Sequence, residues 1–252
     1  MFHSGFHGVD PFLNRLKLRS LITTEEERAV LALSGHVTEI PAHRDFVHIS
    51  EHVEHSCLVV SGLVGRFGQN RDGSRQITCF HIPGDMPDLH SVISPKAAWG
   101  LTALTATTVM RIPHIDLYRL ASMHFGIAEA FWRDCVADGS IFSEWVVNVG
   151  RRGASARLAH LFCEMAIRCE RAGQGDRHSF PLPITQTDLA DATGLTSVHV
   201  NRTLRNLRTR SIVTARAKTV LIHDWPQLVA IGDFDEGFLM MEGPYPRIAA
   251  AA

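Results

Sequence analysis

The chain has 252 residues, of which 45% are hydrophobic, 8% aromatic and 20% charged, with a net charge of −1. That is material for one large domain or two of ordinary size, with ample apolar content for a packed core. No apolar run approaches the roughly 20 residues of a membrane span, and five scattered cysteines without a CxxC pair argue against a disulfide framework or structural zinc.

The chain opens MFHSGFHGVDPF, without a basic stretch leading into an apolar one, so the expected setting is the cytoplasm with reduced thiols and no membrane. Residues from about 9 to 34 read as helical. In TTEEERAVLAL a cap-position Thr precedes acids in the first turn, which suits the helix dipole. From about 36 to 112 the texture changes. SCLVVSGLVGRFGQ, RQITCFHI and LTALTATTVMRI are short, rich in β-branched residues and punctuated by SG, DG and PG turns. Such spacing predicts an antiparallel sandwich or barrel.

A segment with few breakers follows, from about 115 to 149. Ala128, Phe131, Cys135, Phe142, Trp145 and Val149 fall near a 3.5-residue seam, with Asp138 on one seam position. The stripe predicts packing against a partner helix. GRRGASAR, from Gly150 to Arg157, reads as a hinge. LAHLFCEMAIRCERAG reads as a further amphipathic helix ending at Gly173, before a polar GQGDRHS loop.

Charge is unevenly shared. Residues 1–150 hold 12 Lys/Arg against 16 Asp/Glu, and residues 151–252 hold 13 against 10. Within 196–218 there are six basic residues and no acid, an electrostatic footprint for a polyanion. The surrounding stretch is ITQTDLADATGLTSVHVNRTLRNLRTRSIV. Thr185 and Asp188 have capping-box spacing, Gly194 supplies a turn, and Thr196 can cap a second helix to about Thr209. On it Val200, Leu204 and Leu207 form one apolar face, while Val198, Arg202 and Arg205 lie opposite. This is the helix-turn-helix pattern, whose second helix enters the DNA major groove. Ser197, Val198, His199, Asn201 and Arg202 are the candidate base readers, with the Arg202 fork matched to guanine. Thr185, Gln186, Thr196, Arg205 and Arg208 are candidates for the DNA backbone. RSIVTARAKTVLIHD then reads as two strands around a basic turn, a wing.

With those motifs in order, the chain resembles the Crp/Fnr superfamily of transcription regulators over about residues 10 to 230. The resemblance implies an α+β protein: an N-terminal antiparallel β-roll (double-stranded β-helix), a long dimerisation helix and a C-terminal winged helix-turn-helix. It divides the chain into 1–114, 115–150 and 151–252. It implies a homodimer on a palindromic site in double-stranded DNA, with RNA polymerase as a partner if the protein activates. Thr185 and Gln186 match the family's phosphate-contacting positions, and Ser197, Val198 and Arg202 its base-reading ones. Ser197 and Val198 stand where the cAMP-binding member has Arg and Glu, which implies a different operator.

The sensor half departs from that pattern. Asp88-Leu89 stands where cyclic-nucleotide binders carry Gly-Glu, and Ala97-Ala98 where they carry Arg-Ser. An added carboxylate and a missing guanidinium work against a bound phosphate, with Lys96 the only nearby cation. The expected effector is therefore not a standard cyclic nucleotide, in a pocket assigned to Asp85, Asp88, Leu89, Lys96 and Phe142. An N-terminal iron–sulfur cluster is disfavoured, because the first cysteine is Cys57. Fifteen histidines leave haem open without selecting a ligand. Cys79, His81, Asp85, Asp88 and His90 could bind a metal or be ordinary strand and loop residues, and no metal site is assigned. An effector-independent regulator with a vestigial sensor is the alternative. A cupin-like metalloenzyme is remote, since no His-x-His pair occurs and no catalytic constellation stands out.

Overall fold

The computed structural model describes residues 8–248, so the opening MFHSGFH and the outer ends of the expected 1–114 and 151–252 segments lie outside it. By their contacts these residues form two compact units. One comprises the chain up to 64, 81–139 and the residues from 240, and the other 65–80 and 140–239.

The first unit opens with α1 (Asp10–Lys17) and α2 (Thr24–Leu31). Phe12, Leu13 and Leu16 form the buried face of α1. A capping box starts α2: Thr23 Oγ1 accepts from Glu26 N at 3.3 Å, and Glu26 Oε2 accepts from Thr23 N at 2.8 Å. Seven strands follow: β1 (His36–Ile40), β2 (Arg44–Val47), β3 (His55–Ser61), β4 (Val64–Gln69), β5 (Arg75–His81), β6 (Gly100–Ala103) and β7 (Thr107–Pro113). β7 is the central strand of an antiparallel sheet β1-β7-β3, and β2 pairs antiparallel with β6. Val47, Cys57, Val59, Leu101 and Val109, drawn from both pairings, share one apolar cluster. That cluster is the reason the strands form a roll: each buries its apolar alternate positions against the other sheet.

The loop after β5 carries Gly84 at φ +96. A Cβ there would stand 2.9 Å from the Pro11 carbonyl oxygen, so glycine alone lets the loop meet α1. Arg15 of α1 then bridges Asp85 at 2.6 Å and Asp134 at 2.8 Å, and Arg19 reaches Asp134 at 3.4 Å.

The helical segment expected over 115–149 is two helices. α3 (His114–Met123) ends at His124, whose extended backbone (φ −130, ψ 97) breaks the helix. His124 O accepts from Ile127 N and Ala128 N, starting α4 (Phe125–Arg151). At 27 residues, α4 is about 40 Å long. Of the expected seam, Phe142 is 43% exposed, but two bulky members are buried. Phe131 is only 7% exposed and packs on Phe12, with ring centroids 6.1 Å apart. Trp145 is 4% exposed, meets Phe80 edge-on at 5.4 Å and donates to Glu164. These bulky rings fill the cores of their own units. One residue further round the helix, Phe125, Trp132, Val136, Gly139, Ser143, Val146 and Gly150 are all exposed. They repeat at intervals of seven, then four, three, four, three and four. A one-residue step rotates a helix by about 100°, so the exposed heptad stripe lies on a different face from the expected one.

In the second unit α5 (Ala154–Arg171) is central, buried from Leu158 to Cys169. The break before it is Arg152-Gly153, inside the expected hinge. Glu164, wholly buried, pairs with Arg168 at 2.8 Å and accepts from Trp145 Nε1 at 2.7 Å; Arg168 also donates to Phe80 O at 2.7 Å. Then come β8 (Ser179–Pro181), α6 (Gln186–Thr193), α7 (Ser197–Thr209), β9 (Val213–Arg216), β10 (Thr219–Ile222) and α8 (Trp225–Gly232). The sheet order is β8-β10-β9. β8 starts at Ser179, the last residue of the expected GQGDRHS loop, and continues through Phe180 and Pro181 beyond it.

Candidate nucleic-acid interface

The two helices of the motif are built by local capping. Thr185 Oγ1 accepts from Asp188 N at 3.1 Å, and Asp188 Oδ2 accepts from Thr185 N at 2.8 Å, so α6 starts in a complete capping box. It ends at Gly194 in the left-handed region (φ 61, ψ 37), which needs no Cβ. Thr196 Oγ1 accepts from His199 N at 3.3 Å and starts α7. Val200, Thr203 and Leu207 are buried and Leu204 is half-buried. Thr203 is an addition to the expected apolar face; its methyl can lie among aliphatics.

The opposite face is open. Ser197, His199, Asn201, Arg202, Arg205 and Arg208 are exposed, and Val198 is 78% exposed. Thr185, Gln186 and Thr196 are exposed as well. Asn201 Nδ2 donates to Gln186 Oε1 at 3.3 Å, linking the start of α6 to α7. That bond leaves the Gln186 amide N–H groups to turn outward. The face therefore offers guanidinium, amide and hydroxyl donors beside a methyl-bearing side chain, the donor set suited to phosphates and base edges.

Two side chains that the sequence pattern did not single out hold this motif. Arg157 Nη1 donates to Thr193 O at 2.8 Å and Gly194 O at 3.2 Å, and its Nε donates to Arg152 O at 2.8 Å. Gln76 Nε2 donates to Ala192 O at 3.1 Å. The carbonyls at the end of α6 are thus tied to the α4–α5 break and to the β4–β5 hairpin. A lone Arg beside a glycine-flanked break gave no pattern by which to predict this.

The wing forms from β9 and β10. Its tip residues Ala217 (φ 51) and Lys218 (φ 66) both sit in the left-handed region, beside Arg216. Each such L-residue costs roughly 1–2 kcal/mol, and strain of this kind collects at functional sites. Lys218→Gly is expected to stabilise the chain by about 1 kcal/mol in urea unfolding, and to weaken DNA binding by removing a cation. A variant that is no more stable would show that the tip is relaxed.

The residues assigned to an effector pocket are placed differently. Asp85 is buried, bound to Arg15 and accepting from Ile82 N at 3.0 Å. Asp88 is buried and accepts from Cys57 N at 2.7 Å; burial pushes its carboxyl up to about 6 against that hydrogen bond. Leu89 packs in the core of the first unit, Lys96 is exposed, and Phe142 belongs to the second unit. Asp85 thus has its carboxylate engaged inside the protein, and Asp88 is buried with one of its two carboxylate oxygens engaged.

A β-roll, a long helix and a winged helix-turn-helix with an open basic face make a two-part, DNA-binding regulator of transcription. Residues 37–124 match the cyclic nucleotide-binding domain and residues 156–231 the Crp-like helix-turn-helix domain. The chain belongs to the Crp/Fnr superfamily of transcription regulators. It is 29% identical over 171 residues to the nitrogen fixation regulation protein FixK of Rhizobium meliloti, covering 65% of this chain and 72% of that one. It is 24% identical over 168 residues to the regulatory protein HlyX of Actinobacillus pleuropneumoniae, covering 67% and 70%. Among solved structures it resembles FixK2 from Bradyrhizobium japonicum, with a TM-score of 0.72 and 25% identity over 79% of this chain and 98% of that one. No helix among the described residues is long and apolar enough to cross a membrane.

Proposed function

We propose that the protein works as a homodimer on a palindromic operator, with Ser197, Val198, His199 and Arg202 toward base edges. Thr185, Gln186, Thr196, Arg205 and Arg208 meet the backbone. Asn201 holds Gln186 and reaches a base or phosphate from that position. The single observation that carries this reading is the α7 face, exposed, basic and free of carboxylates, on a helix capped at its start. Two such helices on a two-fold axis reach half-sites about 34 Å apart. The test is selection of bound DNA from a random pool by the full chain. A palindrome is expected, and a pool without enrichment would sink the reading.

The dimer is assigned to the exposed stripe of α4. In a parallel two-fold pair each seam residue meets its own copy, so Val146→Glu places two carboxylates together. Like-charge apposition costs several kcal/mol. Sedimentation equilibrium should then show a monomer, with normal helix content and loss of operator binding. A dimer that survives would move the seam elsewhere.

The effector of this reading is not a standard cyclic nucleotide. The support is chemical: a buried carboxylate at Asp88, apolar Ala97 and Ala98 at the phosphate position, and an exposed Lys96 as the nearby cation.

A further inference from the structure

Within the first unit a cleft of about 320 Å³ opens between the turn at Leu89–Val92, α3 and the first half of α4. Its floor is Leu89, Leu117 and Phe131, all buried core residues. Its rim is Ile93, Tyr118 and Trp132, all exposed. None of the residues lining it is Asp, Glu, Lys or Arg. Phe125 meets the Trp132 ring edge-on, at 6.0 Å and 84°, and so fixes one wall.

We propose that this cleft binds a small, neutral, planar aromatic molecule, and that Trp132 passes its occupancy to the α4 seam. Several observations select this occupant. The volume lies at the lower end of small-molecule sites, roughly 300–1,000 Å³, which suits a bicyclic ring. The lining offers rings for stacking and no charge to compensate a carboxylate or phosphate, which would be desolvated there without a partner. The Cys135 thiol in the wall stays neutral, since burial pushes it up to about 12. The Tyr118 and Ser122 hydroxyls and the His90 ring, which lies 4.8 Å from the Trp99 ring, are polar groups of the lining that can orient a ligand N–H or O–H. A macromolecular partner needs about 800 Å² on each side, more than one concavity of this size presents. The link to regulation rests on the dimer reading: Trp132 lines the cleft and stands on the exposed heptad stripe. A ring stacked on its cleft side biases the side chain that a partner helix meets.

The test uses the full chain and 5-fluoroindole as probe, with its 3-acetate derivative as the charged control. Saturable ¹⁹F shifts with one site per chain are expected, together with nuclear Overhauser effects between the probe and the Trp132 ring. The carboxylate should bind at least tenfold more weakly. Ala121→Phe, which fills the cleft from α3, should lose at least tenfold in probe affinity. Should that variant misfold, the Overhauser effects at Trp132 in the unaltered chain decide the site. Saturating probe should shift the dimer dissociation constant at least threefold. Failure to saturate, Overhauser effects to another region, or equal affinity for the carboxylate would overturn the site. Binding in the cleft with an unmoved dimer constant would overturn the coupling. A chain that is monomeric throughout yet binds the probe at Trp132 would instead overturn the dimer reading and leave the site standing. None of these arms uses DNA, so failure of the operator reading is seen separately.

Discussion

Arg168→Ala is expected to destabilise the second unit by about 3–5 kcal/mol, the largest stability loss predicted for a single change in this chain. Glu164 is wholly buried, and its carboxylate is held by the Arg168 guanidinium at 2.8 Å and the Trp145 indole N–H at 2.7 Å. Removing the guanidinium leaves that carboxylate to ionise without its cation or to take up a proton. It also deprives the Phe80 carbonyl of a donor at 2.7 Å. Urea unfolding followed by tryptophan fluorescence measures the loss, since Trp145 reports directly. The double change Glu164→Gln, Arg168→Met should recover much of it, because the uncompensated charge, more than the missing attraction, is what destabilises. A loss in Arg168→Ala below about 1 kcal/mol would place the pair with exposed ion pairs and contradict its burial.

Arg202→Ala carries the largest expected effect on DNA recognition from one side chain. Removing a bidentate hydrogen-bonded pairing with a base costs about 1–3 kcal/mol and relaxes specificity at one position. Arg202 stands exposed on the open face of α7, one turn beyond Val198. Arg208→Ala is the matched contrast. Without its guanidinium on a phosphate, binding should weaken for all sequences alike, and the salt dependence should flatten by about one charge. Competition binding over single-base variants of the selected operator, at two salt concentrations, separates the two. Uniform weakening in Arg202→Ala would reassign it to the backbone.

The difference between what was and was not legible follows from range. The helix-turn-helix could be read because its signals are local. Thr185 with Asp188, Gly194, and Thr196 act within a few residues through caps and a left-handed turn, and α6 begins and ends, and α7 begins, where those signals lie. The strands of the roll were legible in outline for the same reason, through short β-branched runs between turns. The α3–α4 break was not, because His124 is neither Gly nor Pro, and nothing local announces its extended backbone. α8, with Pro226 in its first turn, and β8 went unanticipated; β8 is a three-residue strand whose stability comes from pairing with β10.

The α4 seam shows the limit most directly. Periodicity identifies stripes on a helix but not what covers each. Phe131 and Trp145 made the bulkier stripe, and bulk favours burial within the unit, against Phe12 and Phe80. The stripe left outward is one residue further on and smaller, with Gly139, Ser143 and Gly150 among its members.

By itself, then, the sequence determined the class of this protein and which face of α7 is left exposed and basic, because both rest on short-range periodicity, capping and charge. Only the tertiary structure decided which face of α4 is open and that Asp85 and Asp88 are buried. It alone brought Arg157 to the α6–α7 turn and gathered the cleft at Trp132. Each of these depends on residues far apart in the chain, and their meeting is set by packing that no local pattern encodes.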